Sequence, residues 1–328
     1  MCKATFYVGV DVGKDQLCVA VDGHKPRSFQ HAPGGIKALY NWAGKLAGEA
    51  PLHFCMESTG VYSRSLAVRI GAFAGVEVSI VNPARIAAYA RAQLRRTKTD
   101  GVDAAVILSF AQSQKPTPWK AEPEALRTLY HLVVQADALR ATLRRCTNRG
   151  HAHKYIPDLP QTVSRTQKAL RRCLEAQIAK IENAIESLCA QEPYIREAMG
   201  IMTSTVGIAA HSATRLLAYG GERLTALSAK ALTAHAGLAP HHYQSGTSLN
   251  GKSRIAKQGD KRLRCALYMP TLVAIVYNPV IKHHYQKLLI KGKPKMLAVV
   301  ACMRKLLLMI RSMLKNKKTF NPKLIPLT

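Results

Sequence analysis

Phe6-Tyr7-Val8-Gly9-Val10-Asp11-Val12-Gly13-Lys14 sets the reading of this chain. Aromatic and β-branched residues over 6–10 predict a buried strand, Asp11 stands at its end, and Gly13 permits a turn. Residues 17–21 predict a second strand. Gly34-Gly35 opens an amphipathic helix that runs to about Leu46. Leu52-His53-Phe54-Cys55-Met56 is apolar enough for a central strand. Helix is expected over 61–73, and strand over 76–81 with Asn82-Pro83 as its stop. Further helices are expected over 84–94 and 100–112. Strands alternating with helices predict an α/β layered domain over residues 1–118.

The pattern changes after residue 118. Leu126, Leu129, Val133, Ala136, Leu139 and Leu143 recur at threes and fours, as do Leu170, Leu174, Ile178, Ile181, Ile185 and Leu188. Pro157 and Pro160 interrupt the two runs. Residues 119–194 therefore predict a coiled-coil helical hairpin, packed on its own domain or serving as an oligomerisation arm. Residues 195–328 predict a mostly helical domain. It has helices around 212–219 and 230–236, a polar Gly/Ser-rich loop over 241–259, and basic helices from about Lys261 and Met296.

Charge narrows the choice of partner. The 328 residues carry 48 Lys or Arg against 19 Asp or Glu, a net charge of +29. Eighteen of those cations fall in residues 251–328, beside one acid, Asp260. Such a field attracts polyanions. The 48% hydrophobic content is that of a globular chain with a core. The late apolar stretches are cut by Pro270, Pro279, Arg304, Lys305 and Arg311, short of the ~20 residues a membrane span needs. No signal peptide is read at the N-terminus, and the eight cysteines form no C-x-x-C pair. Reduced core thiols in a cytoplasmic protein are expected. The pairs His151/His153, His241/His242 and His283/His284 suit phosphate contact or polar surface better than zinc.

Four acids stand out. Asp11 and Glu57 end two strands, and Asp100 and Asp103 lie three apart at a helix start, on one face. Strand ends share one edge of an α/β sheet, and a helix packed there brings all four together. Four carboxylates in one place repel unless a cation neutralises them. Mg²⁺ prefers oxygen ligands, and two such ions stabilise phosphoryl displacement. Taken singly, Asp11 is also a turn residue and Asp100 a complement to the helix dipole. The opening motif also looks like the first phosphate loop of actin-like sugar kinases, but no second Asp-x-Gly-Gly-Thr loop follows.

These motifs together resemble the DEDD transposases of the insertion-sequence 110 family, the bridge-RNA-guided recombinases, nearly end to end. The likeness rests on Gly9–Lys14, on Met56-Glu57-Ser58-Thr59-Gly60, and on Arg96-Thr97-Lys98-Thr99-Asp100-Gly101-Val102-Asp103-Ala104. It continues in Ala236-Gly237-Leu238-Ala239-Pro240, Ser245-Gly246, Gly251, Ile255-Ala256-Lys257-Gln258-Gly259 and Lys261-Arg262-Leu263-Arg264. Where members carry a Gly-Ile-Gly-like turn, this chain reads Val206-Gly207-Ile208-Ala209.

The resemblance implies an RNase H-fold, RuvC-like N-terminal domain and a coiled-coil insertion, with a C-terminal transposase domain after them. It implies Mg²⁺, with Mn²⁺ as a substitute, on Asp11, Glu57, Asp100 and Asp103. It also implies a catalytic serine at Ser245, ahead of Ser248. Duplex DNA, a noncoding guide RNA and a dimer or tetramer joined through the coiled coil are the implied partners. Lys98, Lys252, Arg254, Lys257, Lys261, Arg262 and Arg264 are the expected phosphate contacts, which position nucleic acid rather than read its sequence. A Holliday-junction-type nuclease using the carboxylates and water alone is the rival reading.

Overall fold

A mixed five-stranded sheet carries the N-terminal unit, in the order β3-β2-β1-β4-β5. Its elements are β1 (Phe6–Val12), β2 (Gln16–Ala20), β3 (Arg27–Gln30), α1 (Pro33–Ala47), β4 (Leu52–Glu57), α2 (Val61–Ile70), β5 (Val76–Val81), α3 (Pro83–Ala92) and α4 (Asp100–Gln114). The computed structural model describes residues 4–94, 99–245, 249–256 and 258–322, with side chains left out at 241–245 and 249–254. The chain divides into two compact units, Met1–Ala121 and Glu122–Thr328.

Strands β1, β4 and β5 pair in parallel, while β2 pairs antiparallel with β1 and with β3. Parallel strands need both faces covered, and the period of two divides β1 accordingly. Val8, Val10 and Val12 enter a core with Ile36, Leu39, Leu66 and Ile70. Tyr7, Gly9 and Asp11 fall on the opposite face, under α4. In β4, Phe54 and Met56 join the first core, and Cys55 packs on the other face with Val106, Ile107 and Phe110.

Strand β3 is an addition to the elements expected from sequence. Its Arg27-Ser28-Phe29-Gln30 holds one apolar residue, too few to signal a strand. Phe29 supplies the anchor, and the Arg27 guanidinium lies 5.3 Å from its ring centroid. A buried polar clasp fastens the segment after α4. His53 Nε2 lies 2.7 Å from Ser79 Oγ, whose hydroxyl reaches the carbonyls of Pro116 and Thr117 at 3.1 and 2.9 Å. Burial holds the His53 pKa down despite Glu77 nearby.

The second unit is helical except for one ribbon. It contains α5 (Glu124–His153), α6 (Gln161–Gln191), α7 (Pro193–Thr203), α8 (Ala210–Gly220), α9 (Arg223–Ala226) and α10 (Ala229–His235). Then follow β6 (Pro240–Ser245), β7 (Leu249–Ile255), α11 (Lys261–Tyr277), α12 (Pro279–Ile290) and α13 (Lys295–Asn316). Three expectations change here. The segment read as a loop, 241–259, is largely an antiparallel ribbon. A third helix, α12, lies between the two basic helices, with Asn278 as its cap. Cys173 and Cys265 are exposed rather than in a core, whereas Cys55, Cys146 and Cys302 are buried. Among the described residues no single helix is long and apolar enough to cross a membrane.

The inner end of the hairpin is a wall of the main core. Leu126, Leu129 and Val133 pack with Ile195, Met202, Leu216 and Leu306, and Ile185 and Leu188 close over them. Polar bonds lock the wall. Asp137 accepts from Arg215 Nε at 3.2 Å and from Tyr219 Oη at 2.6 Å, and Arg140 bridges to Glu182. Burial opposes the Asp137 charge, but the bonds from Arg215 and Tyr219 outweigh it and hold the carboxyl below its ordinary 3.8. A depressed pKa stabilises the fold above the unfolded value and loses that contribution as pH falls through the folded one. Asp137→Asn is therefore expected to cost about 1–2 kcal/mol at neutral pH, since charge-assisted hydrogen bonds disappear from a part-exposed site. The difference between the urea midpoints of wild type and variant should begin to narrow as pH falls below about 3.8 and close once pH is below the depressed folded value.

Candidate active site

Asp11 and Glu57 emerge side by side. Val10 pairs with Met56 in the parallel register, so the next residue on each strand is one of the two acids. Alternation puts both on the α4 face. Helix α4 runs antiparallel to β1: Tyr7 packs with the cluster holding Phe110 and Ala111, while Ala104 and Leu108 lie against Gly9. Its first turn, with Asp100 and Asp103, thus falls at the Asp11 end.

Two local features fix that turn. At Gly9 a Cβ would stand 2.5 Å from Leu108 N and closer still to the Ala104 carbonyl, so only glycine admits the helix at this depth. Thr99 caps the helix, its hydroxyl accepting from Val102 N at 3.4 Å and its carbonyl from Asp103 N at 2.8 Å.

Cys18, a residue the motif reading does not single out, pairs across from Asp11 in the β1–β2 register. Burial, then the charges of Asp11 and Asp100, push its thiol pKa up. Both carboxylates therefore act on the same neighbourhood. The signal for Cys18 was the register of the hairpin that turns at Gly13, not its residue type. At the Glu57 strand end, the Thr59 hydroxyl is buried without a hydrogen-bond partner.

The donor chemistry suits a hard divalent cation, all carboxylate oxygen. Among the described residues, however, no three His, Cys, Asp or Glu side chains stand close enough to enclose an ion. The edge gathers acids without closing them into a preformed cage. Asp100 is exposed and Asp103 half-buried, so their side chains can turn.

In the helical unit, glycines set the backbone around the ribbon. Gly237 ends α10 at a φ of 65°. Gly259 sits so tightly on the end of α10 that a Cβ would meet Gly237 N at 2.5 Å and Ala234 O at 2.7 Å. Ala256 N bonds Ala239 O at 2.9 Å, joining the two ends of the ribbon. Ser245 is the last residue of β6, paired with Leu249; Ser248, Lys98 and Lys257 lie outside the described residues. Lys252 and Arg254 fall on β7.

The cations of α11 differ from one another. Lys261 is exposed. Arg262 donates to Tyr130 Oη at 2.7 Å, and Arg264 to the Ala236 carbonyl at 3.2 Å. Three cations in the first turn oppose the helix dipole, and the Asp260 carboxylate at the cap, accepting from Arg262 N at 2.7 Å and Leu263 N at 3.0 Å, offsets part of that cost. Lys261 and Arg262 line a cleft of about 410 Å³ with Arg215, Asp137 and Tyr219.

Gathered acids on one unit and a cationic helical second unit fit an enzyme that acts on nucleic acid. Comparison with known proteins makes that class specific. Residues 8–153 match a family model described as "Transposase", and residues 199–286 one described as "Transposase IS116/IS110/IS902 family". Over 324 residues, 97% of this chain and 98% of the relative, the sequence is 29% identical to the pilin gene-inverting protein of Moraxella bovis. It is 28% identical, over the same extents, to the pilin gene-inverting protein of Moraxella lacunata. An uncharacterized protein of insertion element IS110 from Streptomyces coelicolor is 26% identical over 49% of this chain and 36% of its own. The chain belongs to the IS110 family of DEDD transposases and is a DNA recombinase.

Gly9→Ala forces α4 outward and carries Asp100 and Asp103 away from Asp11. A stability loss of about 1–3 kcal/mol is expected from overpacking. DNA joining should fall at least tenfold at a temperature where circular dichroism shows the variant still folded. Full joining by the folded variant would show that the α4–β1 distance does not matter.

Proposed function

We propose that this chain is an insertion-sequence recombinase that cuts and rejoins DNA through a transient phosphoester on Ser245. In this reading Mg²⁺ is held by Asp11, Glu57, Asp100 and Asp103, and a noncoding bridge RNA directs the protein to its sites. The observation that carries it is the convergence of acids from β1, β4 and α4 on one sheet edge, in a chain of net charge +29. The strand order β3-β2-β1-β4-β5 supports an RNase H or RuvC-like reading of that unit.

A bound divalent cation supplies charge stabilisation to a phosphate in displacement. The chain's own part begins with the serine. Its hydroxyl is a weak nucleophile and must lose its proton to a nearby base as it attacks. The Oγ–P bond forms, the P–O3′ bond breaks, and the 3′-oxygen leaves as a hydroxyl after taking up a proton. The phosphoester bond is conserved, so the reverse attack by a 3′-hydroxyl rejoins DNA without ATP. Gly246, next to Ser245, lets backbone approach a phosphate closely. The reading requires Ser245 and the acids to meet at one phosphate, within a protomer or between protomers of a dimer or tetramer.

Relatives named for inverting a gene favour this reading over hydrolysis. Inversion requires every cut strand to be rejoined, and a covalent link preserves the means. The alternative is a RuvC-like structure-selective endonuclease that uses the carboxylates and activated water. The sheet order and the acids alone would serve it equally.

Ser245→Ala separates the two. Loss of all covalent protein–DNA adducts with DNA binding retained is expected; adducts persisting in that variant would overturn the serine assignment. Asp11→Asn should abolish joining while leaving binding intact. Guidance is tested by purifying the protein with its RNA, sequencing that RNA and supplying the DNA sites it matches. Recombination by RNA-free protein would remove the guide from the reading and leave the serine chemistry standing.

A further inference from the structure

We propose that the outer end of the α5–α6 hairpin is a clamp for the phosphate backbone of a nucleic-acid duplex. The inference needs only the recombinase class, not the serine or the guide RNA.

The hairpin's charge is segregated along its length. Residues 144–172 hold eight Lys or Arg against one acid, Asp158. The inner parts, 122–143 and 173–192, hold seven acids against three cations. A helix pair that merely faces water intersperses its signs. Inner charges are also consumed internally: Asp137 with Arg215, Arg140 with Glu182, and Glu122 with Arg223. At the outer end all eight cations are exposed. Among the described residues only Arg171 of the eight has an acid partner, Glu175 at 3.4 Å. So many uncompensated cations repel one another, and a polyanion removes that cost.

The shape suits phosphates. A cleft of about 400 Å³ opens between the helices, with Lys154, Lys168, Arg171 and Arg172 on its walls. From residue 144 to residue 154 the helix extends about 15 Å, enough to follow successive phosphates on one strand. At the turn, Tyr155 is 87% exposed.

Self-association of this end is disfavoured by the same charges. A two-fold contact between identical tips would set cation against cation. Pairing of one tip with the acidic inner end of a second copy would find Glu122, Asp137, Glu175 and Glu182 already in ion pairs, which leaves Glu124, Glu186 and Glu192 against eight cations.

The test compares two variants of the full chain. Arg149→Gln, Lys168→Gln and Arg172→Gln together remove three tip charges. Lys37→Gln, Lys45→Gln and Arg69→Gln remove three exposed charges from the N-terminal unit and control for net charge. Binding to duplex DNA and to duplex RNA is measured separately across a salt series. The tip variant should lose about two to three from the slope of log K against log salt, near 0.9 per phosphate contact, on at least one duplex. The duplex that responds identifies the ligand. No loss of slope, or equal loss in the control, overturns the proposal. A photo-crosslinker placed at Tyr155 of otherwise unaltered protein gives an independent reading. Capture of nucleic acid supports the clamp, whereas capture of a second protein copy alone overturns it and assigns the tip to self-association.

Discussion

The backbone-to-backbone contact of α4 with β1 at Gly9 is the constraint on which the acidic edge depends. Two of the four acids need no help to be neighbours, because Asp11 and Glu57 follow paired residues of adjacent parallel strands. The other two arrive on a separate helix, and their distance from the first pair is set by how deeply that helix sits. Without a side chain at position 9, the Leu108 backbone rests directly on the strand. Ala104, fully buried one turn after Asp100, allows the same closeness from the helix side. Large residues at either position would hold the acids apart while leaving each one in its local place. Small residues here act at a distance of one helical turn from the acids they position.

Charge placement follows a second logic. A chain with 48 cations and 19 acids gathers several of those acids at one strand edge. The cations, by contrast, spread over exposed helix starts, the ribbon and the hairpin end. Counting cations overstates the nucleic-acid contacts, however. Arg262 and Arg264 both spend hydrogen bonds inside the unit, on Tyr130 and on the end of α10. Arg215 is tied to Asp137. Lys261, with its amine in solvent, is better placed for a phosphate than its neighbours of equal formal charge.

How far the sequence reveals this depends on what each element needs. Strands β1, β4 and β5 are legible because buried parallel strands are near-continuous apolar runs. Strand β3 is not, since an edge strand needs one anchor and Phe29 is that anchor. The ribbon β6–β7 is hidden by Gly, Ser and Asn, residues that signal turns as much as edges. Helix α12 had a readable start in Asn278-Pro279, a cap followed by proline at the first turn. The hairpin's periodicity is plain, but periodicity does not say what lies opposite: Leu129 is wholly buried in the main core and Leu170 is 44% exposed. The acids are legible as strand ends. The neighbourhood of Cys18 is not, because it follows from pairing register.

The family signature in the helical unit has a physical meaning distinct from chemistry. Ala236-Gly237 ends α10 through a left-handed glycine, and Gly259 packs on that same helix end where no Cβ fits. Gly207, the first residue of Gly207-Ile208-Ala209, adopts a φ of 105° and lies 3.0 Å, by its would-be Cβ, from Pro270 O and Ala274 N. Each glycine brings two backbones together at the foot of the ribbon or beneath α11. At the foot of the ribbon the Ala256 N bond to Ala239 O, 2.9 Å, closes the same junction. This repeats the principle seen at Gly9: backbone contact at a glycine fixes where neighbouring elements meet. Glycines at such contacts carry no reactive group, yet a side chain at any of them would push two backbones apart and move every residue the contact positions.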